Sequence, residues 1–182
     1  MNTKHDITVI VGVGLLGGSL GSALKHKGLT LRVRGVGRNA TSLKTAIEMG
    51  SIDEPYLDLA SACKDASLIV VCTPAAHVPA DLDIIRATAP QDAIVTDVAS
   101  TNHSIRTNAR QTWPLPRRFV GGHPMAGSEK SGPQHAIASL YEGCVTIVEP
   151  LTPDIDPAAH AAVTALWAAM GSRVVEINPS DH

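Results

Sequence analysis

The chain has 182 residues, enough for one well-buried domain with little left over. A net charge of −2 gives no electrostatic footing to a nucleic-acid or anionic-membrane partner. With 44% hydrophobic and only 3% aromatic residues, the core must be filled by Val, Ile, Leu and Ala, as in a parallel sheet covered on both faces.

In chain order, short β-branched runs alternate with helical stretches, which predicts a βαβ architecture. Ile7–Val11 reads as a strand, followed by a glycine turn and a helix from Leu15 to Lys27 that Gly28 ends. Leu31–Val36 is the second strand, and a helix from Thr41 to Glu48 stops at Gly50. Then come the strand Leu68–Cys72, a helix over Val78–Thr88 and the strand Ala93–Asp97. A polar helix, Asn102–Thr112, leads to a strand ending at Gly121. Val145–Glu149, a helix from Pro157 to Met170 and the strand Val174–Ile177 complete the pattern. Asp156 before Pro157 is a sound N-cap, because proline in the first turn lacks only an N–H that has no helical partner anyway. No internal repeat or linker divides the chain. The expectation is one doubly wound, mostly parallel α/β sheet of seven or eight strands, with helices on both faces, which the final strands extend.

Cys63, Cys72 and Cys144 are odd in number and widely spaced, and read as reduced core cysteines of a cytosolic protein rather than a disulfide or metal framework. Ahead of the first apolar run the chain offers only Lys4 as a basic lead, and that run, Ile7–Leu24, holds five glycines. It makes a poor signal peptide or membrane span, so a cytoplasmic location is expected. His5, His26, His77, His103, His135 and His160 show no paired metal-ligand spacing, and no metal site is expected.

Gly12-Val13-Gly14-Leu15-Leu16-Gly17 follows a predicted strand and opens a predicted helix, the context a dinucleotide fingerprint requires. Gly12 allows the tight turn, Gly14 the approach of backbone to a pyrophosphate, and Gly17 close helix–strand packing. The helix start, with Leu15 and Leu16, then offers unpaired N–H groups and a favourable dipole to the phosphates. The end of the second strand reads Gly35-Val36-Gly37-Arg38-Asn39, with no acid before Glu48. An Asp or Glu there would bond the ribose 2′-hydroxyl of NAD, whereas Arg38 can meet a 2′-phosphate with forked, charge-assisted bonds. Asn39, Thr41 and Ser42 join it as candidate contacts, and NADP is expected ahead of NAD. A solvated strand-end arginine is the alternative.

Further on, GGHPMAGSEKSG, Gly121 to Gly132, follows the apolar segment Phe119-Val120. Pro124 and the glycines predict a sharp turn that stands His123 at the carboxyl end of a strand, the edge at which open α/β sheets bind ligands. Thr96-Asp97-Val98-Ala99-Ser100-Thr101-Asn102 ends another strand.

Glycine loop and strand-end histidine together resemble prephenate dehydrogenases and their arogenate-using relatives, from about Ile7 to His182. The resemblance implies a Rossmann-type NAD(P)-binding domain and an oxidoreductase of tyrosine biosynthesis. It places Cys72-Thr73-Pro74 beside the cofactor, with Cys72 read as core rather than catalytic, since no activating base or cation is indicated nearby. It makes Ser100 the serine beside the nicotinamide that bonds the ring hydroxyl of the substrate, although Ser100 could instead, or also, cap the following helix. Where the family commonly continues with valine and lysine, this chain has Thr101 and Asn102. His123 becomes the proton acceptor for the 4-hydroxyl of prephenate as hydride leaves the same carbon and carbon dioxide is lost. An imidazole of pKa near 6.5 suits that transfer at cellular pH. Ser128 and Glu129 fall at the mouth of the substrate pocket, Glu129 either as part of an ion-pair gate or as a solvated charge.

In the family a histidine matching His182 opens a helical second domain that makes a homodimer and supplies a carboxylate-binding arginine. The sequence stops there, so the expectation is a fragment that binds NADP and turns over slowly or not at all. Two other readings stand beside the dehydrogenase: a catalytically silent nucleotide-binding module acting with another chain, and a β-hydroxyacid dehydrogenase relative, which GGHPMAGSEKSG fits poorly.

Overall fold

The structure is a computed structural model that describes residues 5–100 and 102–178, the Asn102 side chain aside. Six strands, β1 (His5–Val11), β2 (Thr30–Val36), β3 (Glu54–Tyr56), β4 (Leu68–Val71), β5 (Ile94–Asp97) and β6 (Phe119–Val120), form one sheet in the order β3-β2-β1-β4-β5-β6. Every pairing in it is parallel. Crossovers run through α1 (Leu15–His26), α2 (Ala40–Glu48), α3 (Leu59–Cys63), α4 (Val78–Thr88) and α5 (Asn102–Thr112). The strand order reverses between β1 and β4, which opens a crevice above their carboxyl ends.

The apolar strands are buried on both faces, and alternate residues divide between two cores. Val9, Val11, Ile69 and Val71 pack with Leu59, Leu82, Ile85 and Ile105 of α3, α4 and α5. Ile10, Leu68 and Val70 face the other way, toward Leu20 and Leu24 of α1, Leu43 of α2, and Val163 and Trp167 of α6 (Pro157–Ala169). As expected, Asp156 caps α6: its Oδ1 accepts from the N–H groups of Ala158 and Ala159 at 2.7 and 3.2 Å. Among the described residues no helix is long and apolar enough to cross a membrane.

Two features differ from the sequence expectation. The strand β3 and the short helix α3 were not foreseen. Pro55 sits in the middle of β3, and a three-residue segment carries no periodicity. Proline is tolerated there because β3 is the edge of the sheet, where a missing N–H breaks no ladder. The larger correction concerns the last strands, which do not extend the main sheet. β7 (Gly122–Pro124), β8 (Val145–Val148) and β9 (Arg173–Glu176) form a second, three-stranded sheet. In it β7 runs antiparallel to β8, with His123 opposite Ile147, and β8 runs parallel to β9. The chain therefore leaves the first sheet after Val120, and His123 stands within β7 rather than at the end of the preceding strand.

The corner has a polar cause. Gly121 and Gly122 would need ladder partners for their N–H groups, and two buried carboxylates take that place. Glu149 Oε2 accepts from Gly121 at 3.3 Å and Asp97 Oδ1 from Gly122 at 3.0 Å. Glu149 is itself held by a fork from Arg117, at 2.9 and 3.0 Å, with both side chains essentially inaccessible.

Candidate active site

A cleft of about 1020 Å³ lies at the switch point, above the carboxyl ends of β1, β2, β4 and β5. The turn Gly12–Leu16 forms its floor, Gly37–Asn39 one end, Cys72–Ala75 the side toward α4, and Val98–Ser100 with Ala126–Ser128 the other end.

The glycine turn is shaped for the approach of another backbone or a phosphate. Gly12 has φ of +92°, and a Cβ there would stand 3.0 Å from the Cys72 carbonyl and the Thr73 nitrogen. A Cβ on Gly17 would meet the Gly12 carbonyl oxygen at 2.2 Å, so α1 packs against the turn as no other residue would allow. Gly14 is the N-cap of α1 and makes no side-chain cap, while a Cβ on it would meet nothing within 4 Å. Bare backbone and the first N–H groups of α1 thus face open cleft, which fits a pyrophosphate. Buried Tyr141 ties the histidine-side segment to the same turn, its hydroxyl donating to the Leu16 carbonyl at 2.8 Å.

At the end of β2, Arg38 and Asn39 line the cleft and are exposed. Among the described residues no carboxylate pairs with Arg38. Asn39 is occupied locally: its Oδ1 accepts from the N–H groups of Thr41 and Ser42, at 2.8 and 3.3 Å, and caps α2. Ser42 reaches the cleft wall, whereas Thr41 does not line it.

Cys72, Thr73 and Pro74 all line the cleft. The Thr73 hydroxyl donates to Asp81 in the first turn of α4 at 2.6 Å, which fixes its remaining lone pairs toward other donors. Burial pushes the Cys72 thiol far above its ordinary range, with nearby Asp97 adding to it. A thiol held protonated in this way is not a nucleophile at neutral pH, which supports its reading as a core residue.

At the other end of the cleft, Ser100 is exposed and lines the wall, as do Ser128 and Lys130. The Ser128 hydroxyl accepts from the Lys130 N–H at 3.1 Å, closing a tight turn. Helix α5 begins at Asn102, so its cap position is Thr101, which lies outside the described residues. His123 is half-buried in β7 and neither it nor Glu129 belongs to the cleft wall itself; the chain reaches the wall three residues after the histidine, at Ala126. The four terminal residues Pro179–His182, where the expected start of a second domain falls, also lie outside the described residues.

Sequence reasoning missed Asp58, His77, Asp81 and Lys130 on the cleft wall. Asp81 had a signal, since it sits one helical turn into a helix that follows Thr73. It also missed the buried carboxylates beneath the histidine strand, of which Asp97 was visible only as the end of a strand.

Residues 20–176 match the family model described as the nucleotide-binding domain of prephenate dehydrogenase. The chain belongs to that family. It is 31% identical to the prephenate dehydrogenase of Bacillus subtilis, over all of this chain and 49% of that protein. The cyclohexadienyl dehydrogenase of Zymomonas mobilis is 26% identical over 98% of this chain and 60% of its own length. Among solved structures, the prephenate dehydrogenase of Aquifex aeolicus, in complex with hydroxyphenyl propionate and NAD+, superimposes with a TM-score of 0.88 at 28% identity, covering 96% of this chain and 60% of that one. The arogenate dehydrogenase of Synechocystis does so with a TM-score of 0.87 at 31% identity, covering 97% and 61%. This prephenate dehydrogenase-type domain therefore spans about half the length of the curated relatives it matches, and its six-stranded parallel sheet is the Rossmann-type sheet of those structures.

Proposed function

We propose that the chain is the cofactor-binding and proton-accepting part of an NADP-dependent oxidoreductase that converts prephenate to 4-hydroxyphenylpyruvate and carbon dioxide. The observation that carries the reading is the single cleft wall shared by the glycine turn and Ser100, with the His123 strand feeding its far end. Gly12, Gly14 and the first turn of α1 with Leu15 and Leu16 would hold the pyrophosphate. Arg38, with Ser42 beside it, would meet the 2′-phosphate, and Thr73 and Pro74 would border the nicotinamide ribose. When bound, the nicotinamide supplies the hydride acceptor.

The remaining chemistry falls to the side chains. Ser100 bonds the 4-hydroxyl of the substrate and orients it, and His123 takes that proton as the carbon becomes carbonyl-like. The ring carboxylate then leaves as carbon dioxide, its bonding electrons completing the aromatic ring, and the proton held on His123 returns to the phenol oxygen. Aromatisation drives the sequence, so alignment and one proton shuttle suffice, and the shuttle is worth about 10²–10⁴ in rate. Ser128 and Glu129 stand at the entrance for the substrate side chain. Arogenate is the second reading, favoured by the arogenate dehydrogenase of Synechocystis, which at 31% identity and a TM-score of 0.87 stands beside the Aquifex aeolicus prephenate enzyme at 28% and 0.88.

Titration calorimetry of the chain with NADP and, separately, NAD tests the proposal. NADP is expected to bind about tenfold to a hundredfold more tightly, the worth of about one charge-assisted bond. Equal affinity would take Arg38 out of the 2′-phosphate site. Binding of neither would take the cleft out of cofactor chemistry.

A further inference from the structure

The two residues assigned to substrate chemistry arrive from strands in different sheets, β5 in the first and β7 in the second. The Asp97 side chain reaches the backbone beside both. Asp97 Oδ2 accepts from the N–H of Ala99 at 3.3 Å, and its Oδ1 accepts from the N–H of Gly122 at 3.0 Å. Ala99 is the residue immediately before Ser100, and Gly122 the one immediately before His123. The Asp97 side chain is completely buried, so neither bond is shared with water.

The surroundings are cut to this arrangement. A Cβ on Gly122 would stand 2.9 Å from the Asp97 carbonyl oxygen and 3.1 Å from Thr96 Oγ1, so β7 approaches β5 as closely as backbone permits. A Cβ on Gly121 would stand 2.4 Å from Arg106 Nε. That guanidinium is 1% exposed and makes no hydrogen bond to the described residues, and Glu149 Oε2 lies 4.0 Å from its Nε. Its charge is spent on the two carboxylates that hold Gly121 and Gly122 rather than on any one partner.

We infer that Asp97 is a positioning residue: by gripping the backbone just ahead of Ser100 and just ahead of His123, it sets the separation of serine and imidazole across the two sheets. The inference rests on the proposed roles of those two residues but not on the identity of the substrate. Asp97 does not line the cleft, and acts only through the two strands.

The test is Asp97→Asn in the chain as it stands, with NADP added, read by NMR of the backbone amides and the histidine rings. An asparagine keeps the shape, but only one of its two terminal atoms can accept an N–H. The expected result is a change at Ala99, Ser100, Gly122 and the His123 ring, with the Gly12–Gly17 amides unmoved and NADP affinity within about twofold of the unaltered chain, since no cofactor contact is lost. Unmoved Ser100 and His123 signals would overturn the inference. Gly122→Ala is the second variant, because its methyl group lifts β7 off Asp97 while leaving the carboxylate in place; it should move the same signals, and it keeps the inference exposed if Asp97→Asn does not fold. Where the protein turns over substrate, Asp97→Asn should lower kcat by about 10²-fold with little change in the KM for NADP, the cost of a displacement of about 1 Å. Full turnover by His123→Asn would instead overturn the proposed function and leave the NMR result standing.

Discussion

The two ends of the cleft are built in opposite ways. The cofactor end comes from residues close in sequence: a strand, a glycine turn and a helix place the backbone, and exposed Arg38 stands two residues past the next strand's end. The end proposed for substrate comes from residues far apart in sequence that meet through buried charge. Arg117 forks onto Glu149 across 32 positions, and Asp97 reaches Gly122 across 25. Backbone geometry encoded locally tolerates change around it, whereas a buried network fails when one member is removed.

The sharpest way to break this contrast is to remove one charge from each end. Glu149→Leu leaves Arg117 and Arg106 facing each other without their shared carboxylate, both essentially inaccessible to water. Thermal or urea unfolding should show a loss of about 3–5 kcal/mol. Arg38→Ala, at an exposed guanidinium without an ion pair, should change stability by no more than about 0.5 kcal/mol. A Glu149→Leu protein as stable as the unaltered one would mean that the corner between the sheets does not depend on its carboxylates.

The same contrast separates what was legible in the sequence from what was not. The glycine turn, the ends of β1 and β2, the Asp156 cap and the parallel sheet all follow from patterns within about ten residues of one another, and they stand as expected. The second sheet was invisible because β8 and the Val174-Val175 pair of β9 are short β-branched runs like those of the first sheet, and nothing local says which sheet they join. That choice is made at Gly121–Gly122, by carboxylates 25 and 28 positions away. His123 was recognised through its motif, yet its place within β7, and the Asp97 bracket beneath it, required the three-dimensional structure. Lys130 on the cleft wall was passed over because a lysine in a polar loop carries no periodic signal.

A second prediction sharpens the picture of the buried end by pH. Burial pushes the Asp97 carboxyl up to about 7, against the pull of its two N–H bonds and of Arg106. Glu149 adds to the rise and Arg106 opposes it; the Cys72 thiol, itself uncharged, is the other titratable group near Asp97. A folded-state value above the unfolded one means that the folded form binds the extra proton. Stability from this group is therefore fully present below about pH 4 and is lost as pH rises through about 7. Relative to Asp97→Asn, which cannot titrate, the unaltered chain should lose on the order of 3 kcal/mol between those limits. Melting curves of the two proteins that run parallel from pH 4 to 8 would place the Asp97 titration elsewhere.

The third prediction concerns the proton shuttle. In a form of the protein that turns over prephenate or arogenate, His123→Asn should lower kcat by about 10²-fold or more, the contribution of a positioned general base. NADP affinity should hardly change, because His123 is not part of the cleft wall that the cofactor would occupy. A fall in both together would place the imidazole on the cofactor instead.

The smallest expected effect is at the cofactor end, and it discriminates between nucleotides rather than abolishing binding. Arg38 is exposed, and no carboxylate of the described residues competes for it, so its guanidinium is available to a dianionic 2′-phosphate. One charge-assisted bond to that group is worth about 1.5–3 kcal/mol net of solvent exchange. Arg38→Ala should therefore weaken NADP by about tenfold to a hundredfold and NAD by less than about threefold, since the pyrophosphate remains held by the turn and the first turn of α1. Equal weakening of both nucleotides would move Arg38 from the 2′-phosphate to the adenine or its ribose, and the nucleotide preference would then rest on Ser42 and the shape of the turn that Asn39 caps.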